Sequence, residues 1–239
     1  MTEKHSGFNA SCSKCAMQGI CFANGLYDTD IERLDQLVDR KPSLVKGEYL
    51  YQAGENFTSL YAIRAGIVKV YSVNEHEQEV IHGFYLPGDI VGMEALACCR
   101  HEFYAVAMDT TTVCALPYEQ LTKLGTEVPN LNAQIFSLMS HEIVTGRLHS
   151  TILTQKTAEQ RLADFILMMS ERLRARGYEH TQFRLNVLHR DVASYLNLTP
   201  ETVSRILGKF QKQGWMSWKR KEVVIQDMEA LQAMASSAG

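Results

Sequence analysis

The spacing of apolar positions changes along this chain, and each change marks a different kind of element. Between residues 28 and 40, Ile31, Leu34, Leu37 and Val38 recur at helical spacing and predict a short amphipathic helix. Residues 46–51, 59–65, 67–73, 79–85 and 104–108 are short β-prone runs punctuated by Gly47, Gly54, Gly66, Gly83, Gly88 and Gly92. That rhythm predicts a jelly-roll-like antiparallel β-domain. Residues 131–153 return to helical spacing and carry two apolar faces. Ile135 and Leu138 are placed to lie on the β-domain. Phe136, Met139, Ile143, Gly146, Ser150 and Leu153 recur at alternating threes and fours, the seam of a parallel coiled coil. A core-facing helix is the plain alternative. Gly146 and Ser150 stand where Ile or Leu would bury well, so the seam is expected to be weak. Residues 154–156 then form a short hinge, and 158–174 another helix.

The densest pattern lies in residues 188–210. Val192, Leu196, Leu198, Val203 and Ile206 fall where two crossed helices bury them, with Ala193 as the small residue at the close approach. Asn197 stands at the turn, where a positive φ is needed, and Thr199 with Pro200 supplies an N-cap and a first-turn proline. The second helix buries Val203, Ile206, Leu207 and Phe210 and leaves Glu201, Ser204, Arg205 and Lys209 outside. Such a face can read DNA. Arg205 can donate twice to guanine O6 and N7, Glu201 can accept from cytosine N4 or adenine N6, and Ser204 suits several bases. The bland alternative is a helical hairpin with a solvated charged face. Two β-prone runs, 216–218 and 223–225, flank Lys219, Arg220, Lys221 and Glu222 and predict a hairpin with a basic tip. Lys209, Lys219, Arg220 and Lys221 are therefore the candidates for phosphate contacts, which position a protein on DNA without reading sequence.

Composition narrows the classes. The 239 residues, 46% hydrophobic and 21% charged, are enough for two domains of ordinary size. The net charge of −3 conceals an asymmetry: residues 1–155 carry −7 and residues 156–239 carry +4. Only the C-terminal part suits a polyanion. The N-terminus MTEKHSGFNA has no apolar signal segment, and no run approaches the ~18 apolar residues of a membrane span. A cytoplasmic location, away from membrane, is the expectation, and there six cysteines are ligands or packed thiols rather than disulfides.

Cys12, Cys15 and Cys21 form C-x2-C-x5-C in a segment with Ser11, Ser13 and Gly19 and little periodicity. A loop of this composition gains little from burying thiols, whereas thiolates converging on a metal would order it. The spacing fits zinc or an iron-sulfur cluster, with a fourth ligand from Cys98, Cys99 or Cys114.

A β-roll, a long helix and a winged helix, together covering nearly the whole chain, resemble the regulator family of the cyclic AMP receptor protein. LYAIRAG and FYLPGDIVG are similar to stretches of its nucleotide-binding β-roll. The cysteine triplet, Cys114 in TTVCALPYEQL, and Glu201 to Arg205 in ETVSR resemble the fumarate and nitrate reduction (FNR) branch. The resemblance implies an α+β fold with a cysteine-rich loop (1–27), a β-roll sensor (28–130), a dimerisation helix and hinge (131–155) and a winged helix-turn-helix (156–239). It implies that Cys12, Cys15, Cys21 and Cys114 hold an oxygen-labile 4Fe-4S cluster. It further implies a homodimer in which Glu201, Ser204 and Arg205 read TTGAT-type inverted repeats, contacts with RNA polymerase, and control of anaerobic gene expression, without enzymatic activity.

In the nucleotide-binding branch a Glu and an Arg-Ser pair hold the ligand. Here the corresponding positions hold Met93 and His101 with Glu102, and a carboxylate there would repel a phosphate. No cyclic nucleotide is expected. Cys98 and Cys99 fall outside the branch's ligand pattern and are expected to be packed thiols. Two rival readings use the same cysteines: a zinc-stapled DNA-binding module without sensing, and an iron-sulfur electron carrier, for which a second cofactor motif is missing.

Overall fold

The computed structural model describes residues 11–236; the N-terminal decapeptide, including the terminus expected to lack a signal segment, and the last three residues lie outside the described residues. In chain order the elements are α1 (Asp28–Leu37), β1 (Asp39–Arg40), β2 (Tyr49–Tyr51), β3 (Ser59–Ala65), β4 (Val68–Val73), β5 (Glu79–Tyr85), β6 (Ile90–Val91), β7 (Tyr104–Ala107), β8 (Thr112–Pro117), α2 (Tyr118–Glu127) and α3 (Pro129–Gln155). There follow α4 (Ala158–Arg174), β9 (Gln182–Arg184), α5 (His189–Tyr195), α6 (Pro200–Lys212), β10 (Met216–Lys219), β11 (Glu222–Ile225) and α7 (Met228–Ser236).

Two four-stranded sheets make the β-roll, in the orders β1-β8-β3-β6 and β2-β7-β4-β5, with antiparallel pairing. Tyr51, Ile63, Val68, Val70, Val91, Ala105 and Val113 fill the space between them. A second apolar cluster joins Ile31 and Leu34 of α1, Leu60 and Ala62 of β3, Leu116 of β8, Leu121 and Leu124 of α2 and Leu131 of α3. Ile135 and Leu138 pack against it, as their face of the long helix predicts.

The structure corrects the predicted boundaries where local pattern was weakest. The first helix stops at Leu37, so that Arg40 becomes part of a strand. β1, β6, β8 and β9 are too short or too continuously apolar to show alternation, and α2 and α7 went unpredicted. The long helix runs on through Thr154 and Gln155, leaving only Lys156 and Thr157 as the break. Thr157 then caps α4 reciprocally with Gln160. The chain divides into two compact units within this helix: one ends at Val73 and resumes over His82–Ile143, and the other takes Asn74–Ile81 and the described residues from Val144 onward. Among the described residues no helix is long and apolar enough to cross a membrane.

In the C-terminal unit α5 and α6 form the predicted crossed pair. Val192, Ala193, Leu196, Val203, Ile206 and Phe210 are all nearly inaccessible. Asn197 adopts φ 51° at the turn, the region where Ala is strained and Gly is not. Asn197→Ala is therefore expected to destabilise this unit by about 1 kcal/mol while Asn197→Gly costs little, as urea unfolding of the two variants would measure.

Candidate thiol centre and nucleic-acid interface

Residues 11–21 contain few large apolar side chains, and the segment folds by short-range hydrogen bonds. Turns at Cys12–Lys14 and Gln18–Ile20 are joined by Cys15 N–H donating to the Cys12 carbonyl at 3.3 Å and Gln18 N–H to the Cys15 carbonyl at 3.0 Å. Just beyond, Phe22 and Ala23 enter the core that contains Leu34 and Leu131. Ile20 lies over Gly88, where a Cβ would come within 2.5 Å of its side chain. Gln134 of α3 donates to the Cys21 carbonyl at 3.4 Å.

The fourth cysteine comes from within β8. Cys114 is paired across the sheet with Ala62 of β3 on one side and Arg40 of β1 on the other. Cys12, Cys21 and Cys114 pack against the same core cluster. Their electrostatic neighbours include one another and Cys15, together with Asp35, Arg40 and Arg64. Three of the four cysteines that the resemblance implied thus share one apolar cluster. Cys98 and Cys99 are not among the leading electrostatic neighbours of this group. The expectation that these two are packed is wrong. Both are exposed, Cys99 at a positive φ of 56°, and the Cys98 thiol donates to Glu102 at 3.6 Å.

Burial pushes the Cys21 thiol up to about 12. Burial and then the Asp35 carboxylate raise Cys12, and burial raises Cys114 against the pull of the Arg40 and Arg64 guanidiniums. These groups are thiols until something positive replaces their protons, as iron does when thiolates bind it. Among the described residues no group of three or more His, Cys, Asp or Glu side chains is placed to hold a metal ion. An all-thiol, half-buried donor set drawn from a loop and a strand has the soft donor chemistry that an iron-sulfur core takes.

The structure corrects the reading of the nucleotide position. Glu102 is exposed, so it is not the acid that faces inward. Glu94 takes that place. It lies in the turn Met93–Leu96, and its carboxylate meets His101 Nδ1 at 3.0 Å. His101 is 3% exposed and stacks on Tyr51 with ring centroids 3.7 Å apart. Arg100, the nearby cation, points its guanidinium at the Gly54 carbonyl instead.

On α6 the predicted outer face is exposed. Glu201, Ser204 and Arg205 reach solvent, while Val203, Ile206, Leu207 and Phe210 are buried. Thr199 accepts the Thr202 N–H at 3.2 Å and starts the helix. Lys209 is also exposed, yet its Nζ lies 2.6 Å from Glu159, so a phosphate would have to compete for it. β10 and β11 form the predicted wing. Lys219 pairs with Glu222 across it, and Arg220 (φ 56°) and Lys221 make the exposed tip. Local pattern did not reveal β9 as the third strand of this sheet.

Along α3, Phe136 is 69% exposed and Ile143 55%, Met139 and Leu153 are half-buried, and Gly146 and Ser150 are open. Nothing lies within 4 Å of where a Gly146 Cβ would stand. Val144 and Leu148 are exposed as well, on a different side of the helix from the predicted seam.

Residues 160–234 match the family described as the Crp-like helix-turn-helix domain, and residues 41–127 match the cyclic nucleotide-binding domain. The fumarate and nitrate reduction regulatory protein of Salmonella typhimurium is 40% identical over 224 residues, 94% of this chain and 90% of that protein. Its namesake in Yersinia pestis is 39% identical over 231 residues, 97% and 92% of the two. Among solved structures, FixK2 from Bradyrhizobium japonicum superposes with a TM-score of 0.77 at 27% identity, covering 84% of this chain and 99% of its own.

The thiol environments predict an order of reactivity in the metal-free protein. A thiol whose pKa is raised by burial presents less thiolate. At about pH 8, iodoacetamide should modify exposed Cys99 well before Cys12 and Cys21. Peptide mass spectrometry over time checks this, and equal rates would contradict the burial described.

Proposed function

The chain belongs to the CRP/FNR family of DNA-binding transcription regulators, in its FNR-type branch, and from that premise we propose that it regulates transcription in response to oxygen. The observation that carries this reading is that Cys12, Cys21 and Cys114 pack against one apolar cluster, although Cys114 is 93 residues from Cys21 in sequence. A 4Fe-4S cluster bound there would supply an oxygen-labile group whose survival depends on solvent access. The cysteine loop, through Phe22 and Gln134, then conveys its order to α3. α3 is the dimerisation helix of this reading, with Phe136, Met139, Ile143, Gly146, Ser150 and Leu153 as its seam. A paired seam places two α6 helices in successive major grooves of an inverted repeat of the TTGAT type. Glu201, Ser204 and Arg205 read bases, and Lys209, Lys219, Arg220 and Lys221 hold phosphates. Contacts with RNA polymerase complete the regulator, and the Glu94–His101 pair leaves no inviting place for a nucleotide phosphate.

The deciding experiment is metal and sulfide analysis, with visible absorbance, on protein purified without oxygen. Iron and sulfide in equal amounts, lost on Cys114→Ser and retained in Cys98→Ser, support the reading. Zinc, or no metal, sinks it.

For base reading, Arg205→Ala is expected to weaken each half-site by roughly 1–3 kcal/mol and to relax discrimination at one guanine. Lys219→Ala should weaken all sequences alike, as titrations against specific and random duplexes measure.

For the seam, Gly146→Leu with Ser150→Ile adds apolar side chains worth roughly 1.5–3 kcal/mol each when well packed. The double variant should sediment as a dimer in air. A monomer in air that also fails to dimerise without oxygen would favour close helix packing at Gly146 instead.

A further inference from the structure

The cysteine loop begins at its least buried end, and what fixes that end is a charge. Cys12 N–H donates to Asp35 Oδ1 at 2.6 Å, across 23 residues of sequence. Asp35 sits in the last turn of α1, a helix held in the core by Ile31 and Leu34, each 1% exposed. The Arg40 guanidinium grips the same carboxylate oxygen. Arg40 belongs to β1 and is the residue opposite Cys114 in the sheet. One ion pair therefore touches the loop, the helix and the strand that carries the fourth thiol. About three-quarters of each partner's side chain is withdrawn from solvent, where charge-assisted hydrogen bonds count for more than at the surface.

We propose that the Asp35–Arg40 pair is a latch that positions the cysteine loop against Cys114 and so sets how long an iron-sulfur group held by the four thiols survives in air. The second half rests on the cofactor reading above; the first half does not. Such a group is lost once a ligand swings away and solvent enters. A latched Cys12 stays beside the site and is presented again, whereas an unlatched loop opens. The charge balance serves the same end. Asp35 alone would repel an anionic cluster, and Arg40 cancels that charge at the point of contact.

The test uses the full chain in two states. In the metal-free protein, hydrogen exchange of peptides covering residues 11–21 should be on the order of 10-fold faster in Asp35→Ala, the usual consequence of losing a hydrogen bond to a charged group. Asp35→Asn, which keeps an acceptor, should fall between. Exchange in α6 should not change, which separates a latch from general loosening. In protein loaded anaerobically with ferrous iron and sulfide, visible absorbance on exposure to air should decay several-fold faster in Asp35→Ala and Arg40→Gln than in the parent, with Arg40→Lys closest to it. Unchanged loop exchange overturns the latch, and unchanged decay in a loaded variant with a freed loop overturns its role in air. If Asp35→Ala does not fold, Asp35→Asn and Arg40→Lys carry both measurements. A parent that takes up no iron defeats the cofactor reading, and the exchange experiment still judges the latch.

Discussion

Cys114 is held between two paired neighbours in β8, so any centre that includes it must be completed by a loop that comes to it. This constraint shapes the N-terminal part of the chain. The loop contributes little apolar surface over its first residues, but Phe22, 1% exposed, buries a side chain of the kind worth roughly 1.5–3 kcal/mol. Ile20 resting on Gly88 and Asp35 holding Cys12 fix the remaining course. Gly88 carries φ 94°, a conformation that excludes most side chains and here also makes room for Ile20.

The same core extends to α3, and this makes the loop more than a local feature. Leu131 lies in the cluster that receives Phe22, and Gln134, one turn on, reaches the Cys21 carbonyl. Ordering the loop and seating the start of the long helix are therefore not independent events. Farther along, Tyr85 donates to Glu142 at 2.7 Å, a second tie between the β-roll and this helix. Beyond these ties the helix presents Phe136 and Ile143 to solvent, with open space at Gly146. An apolar stripe interrupted by a glycine offers limited burial, and a modest differential interaction is enough to shift an equilibrium of that kind.

The β-roll matches a nucleotide-binding domain in sequence, yet its interior is occupied by the chain's own groups. Glu94 and His101 satisfy each other, and Tyr51 stacks on the imidazole. Burial and the Glu94 carboxylate push the Tyr51 phenol up, so it stays neutral beside the acid. Arg100, the nearby cation, donates to the Gly54 carbonyl instead.

The helix-turn-helix and the β10–β11 hairpin were legible in the sequence because their defining features are local, whereas β9, which completes the sheet, was not. Helical spacing sorts Val203, Ile206, Leu207 and Phe210 from Glu201, Ser204 and Arg205 within one element, and Asn197, Thr199 and Pro200 act on their immediate neighbours. The β-roll was legible in outline through its glycines and short runs, but not β1, β6 or β8, whose residues lack the alternation of a half-buried strand. The cysteine triplet pointed to a ligand loop as an expectation, and the residues alone left Cys98, Cys99 and Cys114 as equal candidates for the fourth position. Resemblance favoured Cys114, and the fold places it beside the loop. Only tertiary structure decided that Arg40 belongs to a strand facing Cys114, that Asp35 reaches Cys12 across 23 residues, and that Glu94 rather than Glu102 turns inward. Each depends on chain segments meeting in space, and neither periodicity nor propensity carries information about contacts between segments so far apart.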